Sequence, residues 1–444
     1  MHEMIIAAAS SGSGKTTFSL GLMRALRQRG LRVQPFKCGP DYIDPMFHRQ
    51  AAGCESVNLD TYLASEAHVT GLYARRGGEA DVSVVEGVMG LYDGYDGARG
   101  SSGALAALLD VPVVLLVNAQ SVAYSVAALI AGFRSFCAPV IGRPVRLAGV
   151  VFNKVASESH FRSLEMACRD AGVACFGYLT RNDALAVPSR HLGLTLSARE
   201  EMERLIQRAA EEVERHVDVN RLLAATTCGR RPAETAPDAG SGNLRVCVAR
   251  DEAFNFTYAE NLRALQQLGD VVFFSPLRDG TLPLCDALYL PGGYPELFAD
   301  QLTANAEMRH SIGAFAARGG QIFAECGGFM YLCREIDGRE MCGVFPFAAT
   351  MEGARLHLGY RQLGVMRGHE FHYSSLRSDD GAGNVERIGG QRTAMGRAVE
   401  TALYRRWNTV AGYTHWYWAE HPSLLPFGKE TGRVAEWMAQ GQKL

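Results

Sequence analysis

Two short stretches of this 444-residue chain combine residue types that can do chemistry. The first is Ser11-Gly12-Ser13-Gly14-Lys15-Thr16-Thr17. Glycines at 12 and 14 free the backbone to wrap its N–H groups around phosphate oxygens. Lys15 offers a cation to the β- and γ-phosphates, and Thr16 offers a hydroxyl to Mg²⁺. A helix starting here adds its positive end. Gly12, Ser13, Gly14, Lys15, Thr16 and Thr17 are thus the expected nucleotide-binding set. Ala9 stands where the usual eight-residue motif has its first glycine, and Ser10 where one subclass of such ATPases places a second lysine. The second stretch is Ala324-Glu325-Cys326-Gly327-Gly328, a cysteine between strand-like Gln321–Ala324 and helix-like Phe329–Leu332. Such a turn projects a nucleophile into a cleft. A helix N-terminus favours the thiolate and presents N–H groups to an oxyanion. Gly327 is one expected donor. Gly293, in Leu290-Pro291-Gly292-Gly293-Tyr294, is the other.

Both centres need partners. A Mg²⁺-nucleotide requires carboxylates. Glu86 ends the run Val82–Val85 and precedes Gly87, the position of a metal-coordinating acid in this class. Asp41 and Asp44 lie in Gly39-Pro40-Asp41-Tyr42-Ile43-Asp44-Pro45, just after another strand. They read either as functional acids or as turn-forming aspartates beside prolines. Lys37 faces the phosphates or is solvated. The cysteine needs a base, and His357, His369, His372, His415 and His421 are the candidates. His369 and His372 also have metal-ligand spacing, with no third ligand close in sequence.

The elements that must position these residues fall into two series. Met4–Ala9, Leu31–Phe36, Val82–Val85, Val111–Val117 and Leu147–Phe152 read as strands. Helical stretches at 15–29, Ala123–Phe136 and His160–Ala171 alternate with them. Strand–helix alternation predicts a doubly wound parallel sheet. The pattern ends near Leu223, and residues 224–243, rich in Thr, Pro, Gly and Ser, read as a linker. A second series follows: strands at Leu244–Ala249, Val271–Phe274, Ala287–Leu290 and Gln321–Ala324, with a helix at Tyr258–Leu268. The expected organisation is domain 1–223, linker 224–243 and domain 244–444, all α/β.

Composition narrows the function classes. A net charge of −2 provides no basic field for nucleic acid. No apolar run reaches the roughly 18 residues a membrane helix needs. The start, Met1-His2-Glu3-Met4, lacks the basic segment of a signal peptide. The 11 cysteines contain no Cys-x-x-Cys pair, which points away from a zinc ribbon and toward a reducing cytoplasm.

These motifs together resemble the cobyrinate a,c-diamide synthase family, of the cobyrinic-acid/cobyric-acid synthase group. The resemblance runs from Ala8–Thr17 through Gly39–Pro45, Glu86-Gly87-Val88-Met89-Gly90-Leu91-Tyr92-Asp93-Gly94, Pro188-Ser189-Arg190-His191-Leu192-Gly193-Leu194 and Leu290–Leu297. It ends with the Cys326 turn and Gly368-His369-Glu370-Phe371-His372-Tyr373-Ser374. It implies a P-loop NTPase domain similar to dethiobiotin synthetase and a domain resembling triad-type (class I) glutamine amidotransferases. It further implies that Cys326 releases ammonia from L-glutamine with His415 as base, and that ATP with Mg²⁺ activates a substrate carboxylate as an acyl phosphate. Thr16, Asp41 and Glu86 become the expected metal set; Asp44 and Tyr42 become the expected contacts to substrate or acyl phosphate. The implied substrates are tetrapyrrole polycarboxylates, with cobyrinate ahead of hydrogenobyrinate and nickel-sirohydrochlorin; a homodimer is compatible. The other readings are a nucleotide-binding regulatory protein with an inactive amidotransferase domain and a dethiobiotin-type carboxylase. Two departures stand out. The usual triad ends His-Pro-Glu, whereas Trp416-Tyr417 follows His415 here. Family members often have a second histidine two residues on. Glu420 is a nearby acid that could orient a histidine. Tyr42, Tyr92 and Trp416 could stack on a flat ring or simply pack.

Overall fold

The computed structural model describes residues 1–185, 196–229, 242–377, 384–422, 425 and 427. The motif at 188–194 and most of the expected linker, 230–241, lie outside the described residues. The chain divides into two compact units, Met1–Ala236 and Pro237–Leu444. Among the described residues no helix is long and apolar enough to cross a membrane.

The first unit contains β1 (His2–Ala8), α1 (Lys15–Gln28), β2 (Val33–Cys38), α2 (Asp44–Ala52), β3 (Val57–Leu59), α3 (Glu66–Gly77) and β4 (Val82–Glu86). It continues with α4 (Ser102–Leu109), β5 (Val113–Asn118), α5 (Val126–Ser135), β6 (Leu147–Val155), α6 (Glu158–Asp170), β7 (Cys175–Thr180), α7 (Leu196–His216) and α8 (Val219–Ala225). Seven strands form an all-parallel sheet in the order β3-β2-β4-β1-β5-β6-β7. The central strands read Met-Ile-Ile-Ala-Ala and Val-Val-Leu-Leu-Val because both of their faces are covered. Register places Lys37 opposite Glu86, and Glu86 opposite Ile6. The loops after β1, β2 and β4 therefore open side by side at the carboxyl edge, the ligand edge of such sheets. Behind them α1 packs on α7: a side chain at Gly21 would start 2.6 Å from the Ala209 carbonyl, so glycine lets the two helices close. Arg24 clamps this contact through Glu203 at 2.5 Å. The unit runs past residue 223, since α8 ends at Ala225 and the Thr226 carbonyl accepts a hydrogen bond from the Glu3 N–H.

The second unit contains β8 (Leu244–Ala249), α9 (Ala259–Leu268), β9 (Gly269–Phe274), β10 (Ala287–Leu290), α10 (Ala299–Ala304), α11 (Ala306–Ala317), β11 (Gln321–Glu325) and α12 (Gly327–Leu332). After these come β12 (Glu335–Ile336), β13 (Arg339–Glu340), β14 (Ala348–Thr350), β15 (His357–Leu363), β16 (Met366–His372) and β17 (Ser375–Arg377). The last are β18 (Glu386–Ile388), β19 (Leu403–Arg406), β20 (Thr409–Gly412) and β21 (His415–Tyr417). The main sheet runs β18-β19-β20-β11-β10-β8-β9, parallel from β20 to β9 and antiparallel at the β18–β19–β20 edge. Alternate residues feed opposite cores: Cys247, Ala249, Leu288 and Leu290 on one face, Val246, Val248 and Tyr289 on the other. A separate antiparallel sheet, β15-β16-β21, carries four of the five candidate histidines. A small sheet, β13-β12-β14-β17, completes the unit.

Candidate functional site

In the first unit the phosphate loop occupies the corner between β1 and α1. Gly12 and Gly14 have φ of +74° and +94°, the left-handed region that glycine adopts freely. A side chain at Gly14 would also meet the Asn153 amide at 2.1 Å. That amide donates to the Ser13 carbonyl at 2.8 Å and fixes the loop from β6. Lys15 leaves the first turn of α1 and donates to the Met89 carbonyl at 2.5 Å. Burial and the nearby Lys37 ammonium push the Lys15 pKa down.

Thr16 donates its hydroxyl to Glu86 Oε1 at 2.8 Å, so the loop and the β4 acid meet. Lys37 reaches the same oxygen at 2.8 Å and Asp44 Oδ2 at 2.5 Å. His48 Nε2 lies 2.8 Å from Glu86 Oε2, and its Nδ1 lies 3.0 Å from Ser56 Oγ. Burial pushes the Glu86 carboxyl up, but Lys37 and His48 outweigh it and hold the pKa well below the usual range. Burial acts on Lys37 in the opposite sense, yet Asp44 and Glu86 raise its pKa and keep it charged. Burial and Asp41 push Asp44 up, to about 8, against the pull of Lys37. Asp41 Oδ1 accepts from the N–H groups of Ile43 and Asp44, closing the turn that leads into α2. Thr17 turns away from the loop to donate to the Leu185 carbonyl. Tyr42 is buried at 6% exposure. Thr16, Asp44 and Glu86 offer oxygens, the ligand type magnesium takes, and a cation already sits between Glu86 and Asp44 as the Lys37 ammonium. These residues fit a bound Mg²⁺.

In the second unit Cys326 joins β11 to α12 at φ +49° and ψ −111°, a conformation few L-residues adopt. Its N–H donates to the Gly412 carbonyl, and its carbonyl accepts from Met330. The thiol, 3% exposed, points at the Phe371 carbonyl 3.7 Å away. Burial and the Glu296 charge raise its pKa, while the N–H groups of Gly327 and Gly293 draw it down. Both expected oxyanion donors thus face the sulfur. Gly292 reports the remaining geometry. A side chain there would begin 2.2 Å from His415 Cε1 and 3.1 Å from Cys326 Cβ, so imidazole and cysteine flank one point. Burial, then His369 and His372, lower the His415 pKa to about 3. Thiol and imidazole are therefore both uncharged at rest.

Glu325 explains the alignment. It accepts from the Trp416 N–H at 2.9 Å and the Tyr289 hydroxyl at 2.7 Å. This ties the residue before Cys326 to the residue after His415. Across the three-stranded sheet His369 pairs directly with His415. Glu370 holds His372 Nε2 at 2.8 Å, Arg361 Nε at 2.5 Å and the Thr401 hydroxyl. Its charge also reaches His415. His357, Glu370 and His372 place ligand atoms within 4.8 Å of one another, but the Glu370 carboxylate is already taken up by Arg361 and Thr401. His372 stacks on Tyr413 at 3.7 Å.

Sequence reasoning missed His48, Asn153, Glu370 and Glu325 as organisers. His48 alone left a signal, standing four residues after Asp44 and so on the same helical face. Of the aromatics considered for stacking, Trp416 is fully buried in the core beside Val246 and Tyr289, because β21 turns it inward. Tyr92 stacks on Phe133.

Comparison with known proteins bears on both units. Residues 4–194 match the CobQ/CobB/MinD/ParA nucleotide binding domain. Residues 245–423 match the CobB/CobQ-like glutamine amidotransferase domain. A cobyrinate a,c-diamide synthase of Listeria monocytogenes serotype 4b (strain F2365) is 39% identical, over 94% of this chain and 96% of the relative. One from Methanothermobacter thermautotrophicus is 39% identical over 95% and 97%. A hydrogenobyrinate a,c-diamide synthase of Brucella suis biovar 1 is 38% identical over 94% and 98%.

Proposed function

The chain belongs to the cobyrinate a,c-diamide synthase family, and from that premise we propose that it uses ATP and L-glutamine to amidate the a and c acetate carboxylates of cobyrinate. Hydrogenobyrinate is the second reading, because a relative of nearly equal identity carries that name. The carrying observation is the pair of centres on one chain. One is a phosphate loop joined to a strand-end acid; the other is a strained cysteine beside a buried histidine.

A carboxylate is a poor acyl donor because oxide is a poor leaving group, and phosphorylation supplies a good one. The N–H groups of the loop cradle the phosphates, and Lys15 moves from the Met89 carbonyl onto phosphate oxygen. Thr16 and Glu86, with Asp41 and Asp44 beside them, would hold Mg²⁺. That ion, when bound, would neutralise charge on the transferring phosphoryl group. Lys37 and His48 keep Glu86 ionised and oriented. Asp44 and Tyr42 adjoin the place where the substrate carboxylate must arrive.

At the second centre the Cys326 thiol gives its proton to His415, and the thiolate attacks the glutamine carboxamide carbon. Gly293 and Gly327 donate to the resulting oxyanion. The imidazolium returns the proton to the departing ammonia, and water then hydrolyses the thioester to glutamate. Ammonia made in place of ammonium stays nucleophilic, attacks the acyl carbon of the acyl phosphate and displaces inorganic phosphate, leaving the amide. A homodimer is compatible with this scheme.

The test is to incubate the purified protein with cobyrinate, hydrogenobyrinate or nickel-sirohydrochlorin, plus ATP, Mg²⁺ and L-glutamine. Mass spectrometry should show stepwise conversion of carboxylates to amides, fastest with cobyrinate, alongside release of glutamate. Absence of both glutamate and amide with every tetrapyrrole would sink the reading.

A further inference from the structure

Glu296 follows the Gly292–Gly293 corner by three residues, in the short 3₁₀ segment Pro295–Phe298. Its Oε2 is sealed from solvent and accepts no hydrogen bond among the described residues. No lysine, arginine or histidine among the described residues pairs with it; its own backbone N–H is the group that stabilises its charge, and Asp337 adds repulsion. Burial accordingly lifts its pKa to about 7. The same carboxylate acts electrostatically on the Cys326 thiol and the Tyr413 hydroxyl. A side chain at Gly327 would begin 2.7 Å from Pro295 Cδ, so the segment that carries Glu296 packs directly on the cysteine turn. The charges acting on His415 are those of His369, His372 and Glu370, whereas Glu296 acts on the thiol.

A carboxylate taken from water with no counter-ion is unfavourable, and a cleft keeps one where a ligand supplies the opposite charge. L-Glutamine brings such a charge. When its carboxamide lies on Cys326, its α-ammonium sits a few carbons away, within reach of a neighbouring side chain. We propose that Glu296 receives the α-ammonium of L-glutamine and so makes this centre select an amino acid over a plain amide. The inference rests on the glutaminase reading above and adds the residue that determines specificity.

Glu296→Gln preserves shape and removes charge, which makes it the test. Glutaminase kinetics are measured with L-glutamine and with glutaramate, which has the same carboxamide but no ammonium. The variant should raise KM for L-glutamine by at least about 30-fold, the loss that follows deletion of one partner of a buried charge pair, with kcat little changed. Glutaramate should be turned over slowly and equally by both proteins. Labelling of the Cys326 peptide guards against misfolding: iodoacetamide should react with both proteins alike, and 6-diazo-5-oxo-L-norleucine more slowly with the variant. An unchanged KM for L-glutamine, or an equal loss with both amides, overturns the proposal. Wild-type protein that makes no glutamate from L-glutamine overturns the parent reading and this one together. An active wild type with an indifferent variant overturns this one alone.

Discussion

At the carboxyl edge of the first sheet, Thr16, Lys37, Asp44, His48 and Glu86 gather within one connected set of polar contacts, and the charges of Lys37, Asp44 and Glu86 act on Lys15. Around Cys326 the design is reversed. Glycines at 292, 293 and 327 border Cys326, and the reacting sulfur and imidazole are buried without charge. A phosphate arrives carrying its charge, so its site must hold compensating charges in place beforehand. The carboxamide that reacts at the sulfur brings none, so the reacting pair can stay uncharged until a substrate drives proton transfer. Preorganised charge serves one half of the reaction and preorganised shape the other.

Deleting the nucleophile gives the largest separation between the halves. Cys326→Ala should lower glutamine-dependent synthesis by about 10⁴-fold or more and leave ammonia-dependent synthesis intact, measured as amide formed with each nitrogen donor. Equal loss with both would mean that the halves are not separable. Lys15→Ala should lower synthesis about 10³-fold with either donor, while glutamate release in the presence of substrate reports on the other half. Gly292→Ala attacks shape alone. Its new methyl group strikes the His415 ring, so glutaminase kcat should fall about 10²-fold, as expected when a catalytic group is displaced by an ångström. Ammonia-dependent synthesis should not change. Asp41→Asn separates the two roles open to that residue. Asparagine can still accept from the Ile43 and Asp44 N–H groups, so stability to urea should stay within about 0.5 kcal/mol. Loss of the charge should still lower synthesis about tenfold with either donor. Unchanged synthesis would leave Asp41 as a turn former only.

Much of this comparison was legible in the residues. Parallel strands buried on both faces appear as β-branched runs, and the phosphate loop and cysteine turn announce themselves through glycine spacing beside Lys15 and Cys326. The β15-β16-β21 sheet did not announce itself. Its strands, such as His357-Leu-Gly-Tyr-Arg-Gln-Leu363, put polar side chains toward a cleft and lose the apolar alternation that marks a strand. His48 stayed hidden because its partner Glu86 is 38 residues away and only the sheet order joins them. Trp416-Tyr417 offers no acid after His415; the carboxylate whose charge reaches His415 is Glu370, on the neighbouring strand. Packing and stacking stayed open for Trp416 because nothing local tells which face of a three-residue strand turns inward.

The backbone at Cys326 has a consequence for how this protein can change over time. At φ +49° and ψ −111° a glycine would sit at lower energy than any residue bearing a β-carbon. Thermal unfolding should therefore find Cys326→Gly more robust than Cys326→Ala, by about 1 kcal/mol. Selection for robustness alone would drift toward that glycine and end the use of glutamine. Lineages that keep the thiol accept a less robust turn as the cost of a working one.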